Sequence, residues 1–84
     1  MFLHLGEDYL INEKDIIGIF DLDTSTVSKA TRAYLAKAER ENRLIPVSDT
    51  LPRSFVVCSG FYGERTFLSN LSAVTLKKRI GGLK

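Results

Sequence analysis

The sequence predicts a small single α+β domain: short strands in an antiparallel-rich sheet, with one long helix and one short C-terminal helix. Three observations predict it. RSFVVCS, GFYG and RTFLSNL read as two strands joined by a hairpin, because β-branched and aromatic residues dominate the runs and glycines bracket the turn. TSTVSKATRAYLAKAERENR, residues 24 to 43, repeats its apolar residues at helical spacing. The order strands, helix, strands, helix fills 84 residues with no linker, repeat or low-complexity segment, so residues 1–84 form one domain.

MFLHL is a short apolar run that ends at Gly6. GEDY supplies glycine and aspartate for a tight turn, and YLIN begins a second extended run. DIIGIFDL is rich in Ile and Phe and reads as a third strand. Gly18 inside it points to a bulge or a close backbone approach.

The long helix follows LDTST, where Asp23, Thr24 and Ser25 are all suitable N-caps. Wound at about 100° per residue, Val27, Ala30, Tyr34 and Ala38 fall on one side. Lys29, Arg32, Arg40 and Arg43 fall on the other, within an arc of roughly 80°. Asn42 suits the helix C-terminus, and arginines there complement the negative end of the dipole. LIPVSD is a short strand whose Pro46 suggests an edge, and TLPR is a turn. After the hairpin strands, SAVTLKKRI forms the short helix. It buries Val74 or Ala73 together with Leu76 and Ile80, and glycines end it.

Hydrophobic residues make up 44% of the chain, enough to fold rather than remain disordered. The size is close to the lower limit for a self-sufficient core, so pairing with further copies is expected. The formal net charge is +2, but it is unevenly spread. Residues 1–23 carry six acids and one base, 24–43 five bases and two acids, and 44–84 six bases and two acids. An acidic first quarter and a basic remainder fit an oriented surface that faces an anion. They equally fit head-to-tail contact between copies.

One cysteine, Cys58, allows no intramolecular disulfide, and its apolar setting FVVCS predicts a buried thiol in a reducing compartment. MFLHLGEDY does not resemble a signal peptide, and no apolar run approaches the roughly 20 residues that cross a bilayer. The expectation is a cytoplasmic protein without membrane contact. With His4 the sole histidine, zinc of the usual Cys/His type has no ligand set. A His4–Cys58 nucleophile pair would need two residues from apolar runs to meet. The N-terminal acids read as a surface rather than an acid–base pair. Gly60 and Gly63 lack the lysine and hydroxyl of a phosphate loop and read as turn glycines. The expectation is no enzyme, no cofactor and no metal.

The bases remain: the helix stripe, Arg53, Arg65 and Lys77-Lys78-Arg79. Such residues neutralise phosphates. A solvated helix face and the C-terminal helix dipole explain many of them equally well. Phe55, Phe61, Tyr62 and Phe67 read as packing residues rather than base-stacking platforms.

HLG-acid-acid-aromatic at residues 4–9, DIIGIFD at 15–21 and TLKKR at 75–79 resemble the RemA/RemB family of bacterial extracellular-matrix regulators, closer to the RemB branch. The likeness keeps its order from about residue 2 to 80. It implies a small DNA-binding regulator of biofilm-matrix genes that assembles into rings and contacts DNA with basic residues. A ring would repeat a modest basic patch many times. The chain departs from the family at one informative place. RemA-type proteins carry a run of the kind Gly-Arg-Arg-Thr-Arg before the strand RSFVVCS, and here SDTLPR stands there. Thr50 and Leu51 replace the first two arginines, and Arg53 remains. An arginine after the second short strand aligns near Lys14. The candidate DNA contacts are therefore Arg53 and Lys14 from the resemblance, with Lys29 and Arg32 from the helix stripe. Double-stranded DNA and further copies of the chain are the expected partners. The alternative is a protein-interaction module of the same family that has lost direct DNA contact and works through a protein partner.

Overall fold

The computed structural model describes residues 2–6, 9–22, 28–61 and 63–80. The first two strands, β1 (Phe2–Gly6) and β2 (Tyr9–Asn12), form an antiparallel hairpin with a register shift between His4 and Gly6. Gly6 has φ +132°, a conformation open to glycine and strained for other residues. A 3-10 turn, Glu13–Asp15, is capped by Asn12, whose side chain accepts from the Lys14 N–H at 3.0 Å. It leads into β3 (Ile16–Asp21).

Next come helix α1 (Lys29–Arg40), short strand β4 (Leu44–Pro46), the long hairpin β5 (Ser54–Gly60) and β6 (Gly63–Ser69), and helix α2 (Ala73–Arg79). The main sheet has the order β3-β5-β6-β4. β3–β5 and β5–β6 are antiparallel, and β4 joins β6 in parallel. Pro46 thus lies on an edge strand, where its missing N–H disrupts no ladder. The expected bulge in β3 is present between Ile16 and Gly18. Gly18 is also a close approach, since a Cβ there would lie 2.7 Å from the Phe20 ring.

Alternation along β5 assigns the two faces of this sheet. Val56 and Cys58 join Ile19 and Phe67 on one face, which the β1–β2 hairpin and α2 cover with Leu3, Leu5, Ile11, Ala73 and Leu76. The hydroxyls there are satisfied: Ser69 donates to the Leu5 carbonyl at 2.6 Å and Ser54 to the Leu71 carbonyl at 2.7 Å. Phe55 and Val57 face the other way, toward α1. Ala73 is buried and Val74 is 62% exposed, which decides the α2 alternative in favour of Ala73.

Helix α1 is shorter than residues 24–43. Its N-cap is Ser28, which accepts from the Thr31 N–H at 3.0 Å, rather than Asp23, Thr24 or Ser25. The bond satisfies one of the free amides of the first turn. Residues 23–27, which include those three candidates and Val27, lie outside the described residues, as do the turn residues 7–8, Tyr62 and the glycines after α2. At the other end Asn42 has φ 59°, the left-handed geometry that stops a helix.

Candidate nucleic-acid interface

The four predicted contacts do not form one patch. Arg53 immediately precedes β5 and is exposed. Its backbone is fixed at the sheet end, where its carbonyl accepts from Leu22 at 2.9 Å and its N–H donates to Ser69 at 2.8 Å. Lys14 is exposed in the 3-10 turn, beside the other end of β5, since Ile16 pairs with Cys58. Six residue steps along β3 lead from Ile16 to Leu22, which spans roughly 20 Å of strand. Lys29 and Arg32 sit in the first turn of α1, both exposed, on the face of the sheet opposite the hairpin.

Helix α1 from Lys29 to Arg40 carries four bases (Lys29, Arg32, Lys37 and Arg40) and one acid, Glu39, all exposed. Arg43 leaves the predicted stripe. It lies beyond the helix, partly buried, and pairs with Glu41 at 2.8 Å and Glu64 at 3.7 Å. The Glu41 hydrogen bond raises its pKa further above the ordinary arginine value. Its guanidinium stands 6.0 Å from the Tyr34 ring centroid. Arg43 is therefore a tether for α1 and not a solvated cation.

Tyr34 is the second tether. Its hydroxyl donates to Glu64 Oε2 at 2.7 Å and lies 2.8 Å from Thr66 Oγ1. Its ring stacks near Phe55, which stacks on Phe20 at 4.9 Å. Between these rings and the helix runs an apolar groove of about 360 Å³, bordered by Ile17, Phe20 and Ala30. Ile17 is 64% and Phe20 46% exposed. Sequence patterning missed this groove, because it placed Ala30 on the buried stripe and gave DIIGIFDL no outer face. The bulge at Ile16–Gly18 is the signal that exposes Ile17.

Phe55 and Phe67 are packing residues as expected, but Phe61 is 95% exposed at the β5–β6 turn. Leu51, which stands in the SDTLPR loop, is 86% exposed.

Cys58 is buried, and burial pushes its thiol up to about 11, with Asp15 adding to the rise and Arg65 opposing it. A thiol so held is protonated and a poor nucleophile. His4 is exposed on β1, away from the buried thiol, so the two do not form a nucleophile pair. Among the described residues, no group of three or more His, Cys, Asp or Glu could hold a metal ion. No helix among them is long and apolar enough to cross a membrane.

Comparison with known proteins adds two findings. The family model described as extracellular matrix regulatory protein A-like (RemA-like) matches residues 2–80. Extracellular matrix regulatory protein B of Bacillus subtilis (strain 168) is 34% identical over 79 residues, covering 94% of this chain and 89% of that protein.

Proposed function

From a chain that belongs to the RemA-like family of extracellular matrix regulatory proteins, we propose a DNA-binding transcriptional regulator of matrix genes that works in the cytoplasm as a cyclic oligomer, without catalysis. The observation that carries this reading is the outer face of α1, four exposed bases against one exposed acid on a helix tethered to the sheet by Tyr34 and Arg43. Arg53 adds a further exposed cation at a fixed backbone position. Binding would be mainly to backbone phosphates and duplex shape, the sequence-independent contacts open to exposed lysines and arginines. A cyclic assembly multiplies the patch. Each copy needs to neutralise few phosphates for the whole to bind firmly.

The test is a salt titration of binding to a labelled duplex of a few tens of base pairs, on protein of known solution mass. Each phosphate contact contributes about 0.9 to the slope of log affinity against log salt. Arg53→Ala should weaken binding alike for unrelated sequences and lower the slope by about 0.9 per affected contact. Unchanged affinity and slope in that variant would remove Arg53 from the interface. Absence of binding by intact oligomer at low salt would refute the reading.

Leu51 favours a second reading. An 86% exposed leucine stands where the family's basic run would be, and such a residue suits a protein contact better than a phosphate. In that case the oligomer acts through a protein partner. Leu51→Asp would then abolish the complex while leaving the oligomer mass unchanged.

A further inference from the structure

A second cavity, also of about 360 Å³, lies beneath the β1–β2 hairpin on the face away from α1. The DNA reading makes no use of it. Its charged groups are Arg65 and Asp15, Tyr9 and Asn12 add neutral polar groups, and its walls include Leu10, Ile45 and Phe67. Arg65 pairs in register with Cys58, so its side chain points toward the buried face. Its guanidinium stands 5.8 Å from the Phe67 ring centroid. Its Nε is buried with no hydrogen-bond partner. A buried donor of a charged group left unpaired is costly, and one that persists calls for an occupant.

Asp15 borders the same cavity, and no ion pair joins it to Arg65. Gly60 leaves room for its carboxylate, since a Cβ there would lie 3.1 Å from Asp15 Oδ2. Both charges act on the Cys58 thiol between them, in opposite senses. The cavity thus holds one cation and one anion that do not satisfy each other, beside an apolar wall.

We propose that this cavity binds a free apolar α-amino acid, its carboxylate on Arg65, its ammonium on Asp15 and its side chain against Leu10, Ile45 and Phe67. A simple anion would meet Asp15, and a simple amine would meet Arg65. A zwitterion satisfies both, and the guanidinium fork matches a carboxylate. An α-amino acid of leucine size fits well within the volume.

L-leucine is the probe, with 4-methylpentanoate and isoamylamine as analogues that lack one charge each. The readout is the Arg65 Nε–H resonance in proton–nitrogen NMR of the intact protein. Saturable L-leucine binding with a dissociation constant at or below about 1 mM is expected, and each analogue should bind at least about tenfold more weakly. Asp15→Asn and Arg65→Gln should each lose the binding. Melting of each ligand-free variant separates lost binding from lost fold, and Asp15→Asn, which keeps the side chain's shape, keeps the test available if the Arg65 variant fails to fold. An Arg65 resonance unmoved at about 20 mM L-leucine would mean that water alone fills the cavity, and would overturn the proposal. So would 4-methylpentanoate binding as tightly as L-leucine. DNA binding is measured on separate residues, so either idea can fail without the other.

Discussion

Tyr34→Phe removes one oxygen atom and should loosen α1 from the sheet. The phenol has a single proton, which goes to Glu64 Oε2 at 2.7 Å. Thr66 must therefore be the donor in its 2.8 Å contact with the same phenol oxygen. Thr66 is 0% exposed. Deleting the phenol oxygen leaves that buried hydroxyl without its acceptor, which costs about 1–3 kcal/mol. The lost bond to Glu64, at the solvent edge, adds about 0.5–1.5 kcal/mol at most. A destabilisation of about 2 kcal/mol follows, or roughly 8–16 °C in a domain of this size.

The reasoning is tested by a second substitution. Thr66→Val replaces the orphaned hydroxyl with a methyl of similar shape, so Tyr34→Phe with Thr66→Val should be more stable than Tyr34→Phe alone. Urea denaturation gives the midpoints, compared at constant slope. A Tyr34→Phe variant within about 0.5 kcal/mol of the parent would refute the argument. So would a double variant no better than the single one.

Three further outcomes are expected. Leu76→Ala removes a fully buried side chain between α2 and the sheet and should cost about 2–5 kcal/mol in denaturant unfolding. Gly18→Ala would place a Cβ 2.7 Å from Cε2 and Cζ of Phe20. It should turn that half-exposed ring away from its stack on Phe55 at a cost of about 0.5–1.5 kcal/mol, seen as a shifted Phe55 ring resonance and a lower midpoint. The Cys58 thiol stays protonated up to about 11 when folded, against 9.0 ordinarily. The unfolded chain loses that proton first, so the thiol's contribution to stability is complete below about pH 9 and falls away toward pH 11. Cys58→Ala should flatten that decline, measured by melting across the range.

The strands were legible because short β-branched runs between glycines have few other uses. YLIN occupies Tyr9–Asn12 as read, and RSFVVCS lost only its first residue to the loop. The helix start was not legible, because Asp23, Thr24, Ser25 and Ser28 are all chemically able to cap. Arg43 was misassigned for a related reason. Helical periodicity projects past the true end, and the left-handed Asn42 turns Arg43 toward Glu41 and Glu64. The candidate DNA contacts were visible as residues but not as a surface. Arg53 and Lys14 fall at opposite ends of β5 because the sheet pairs β3 and β5 antiparallel along their length. The Arg65–Asp15 cavity left no trace in sequence order, since fifty residues separate the two. Only the 3-10 turn and the Cys58–Arg65 pairing bring them together.

The fold also sharpens what the basic stripe can meet. α1 lies on one face of the sheet, and the hairpin with the Glu13–Asp15 turn lies on the other. A head-to-tail contact that joined the stripe to the acidic region of the next copy would cover Lys29 and Arg32, so those residues could not serve DNA in the same assembly. The two roles exclude each other at these positions. Reversing charge with Lys29→Glu and Arg32→Glu separates them. If the stripe serves DNA, the mass by light scattering stays unchanged and duplex binding weakens, with the salt slope falling by about 1.8 for two phosphates. If the stripe holds copies together, the mass itself falls toward that of the single chain. Because such a contact is electrostatic, raising salt should dissociate the unaltered protein in the same way. An oligomer of full mass that still binds duplex with an unaltered salt slope would remove α1 from both roles and leave Arg53 as the cation to pursue.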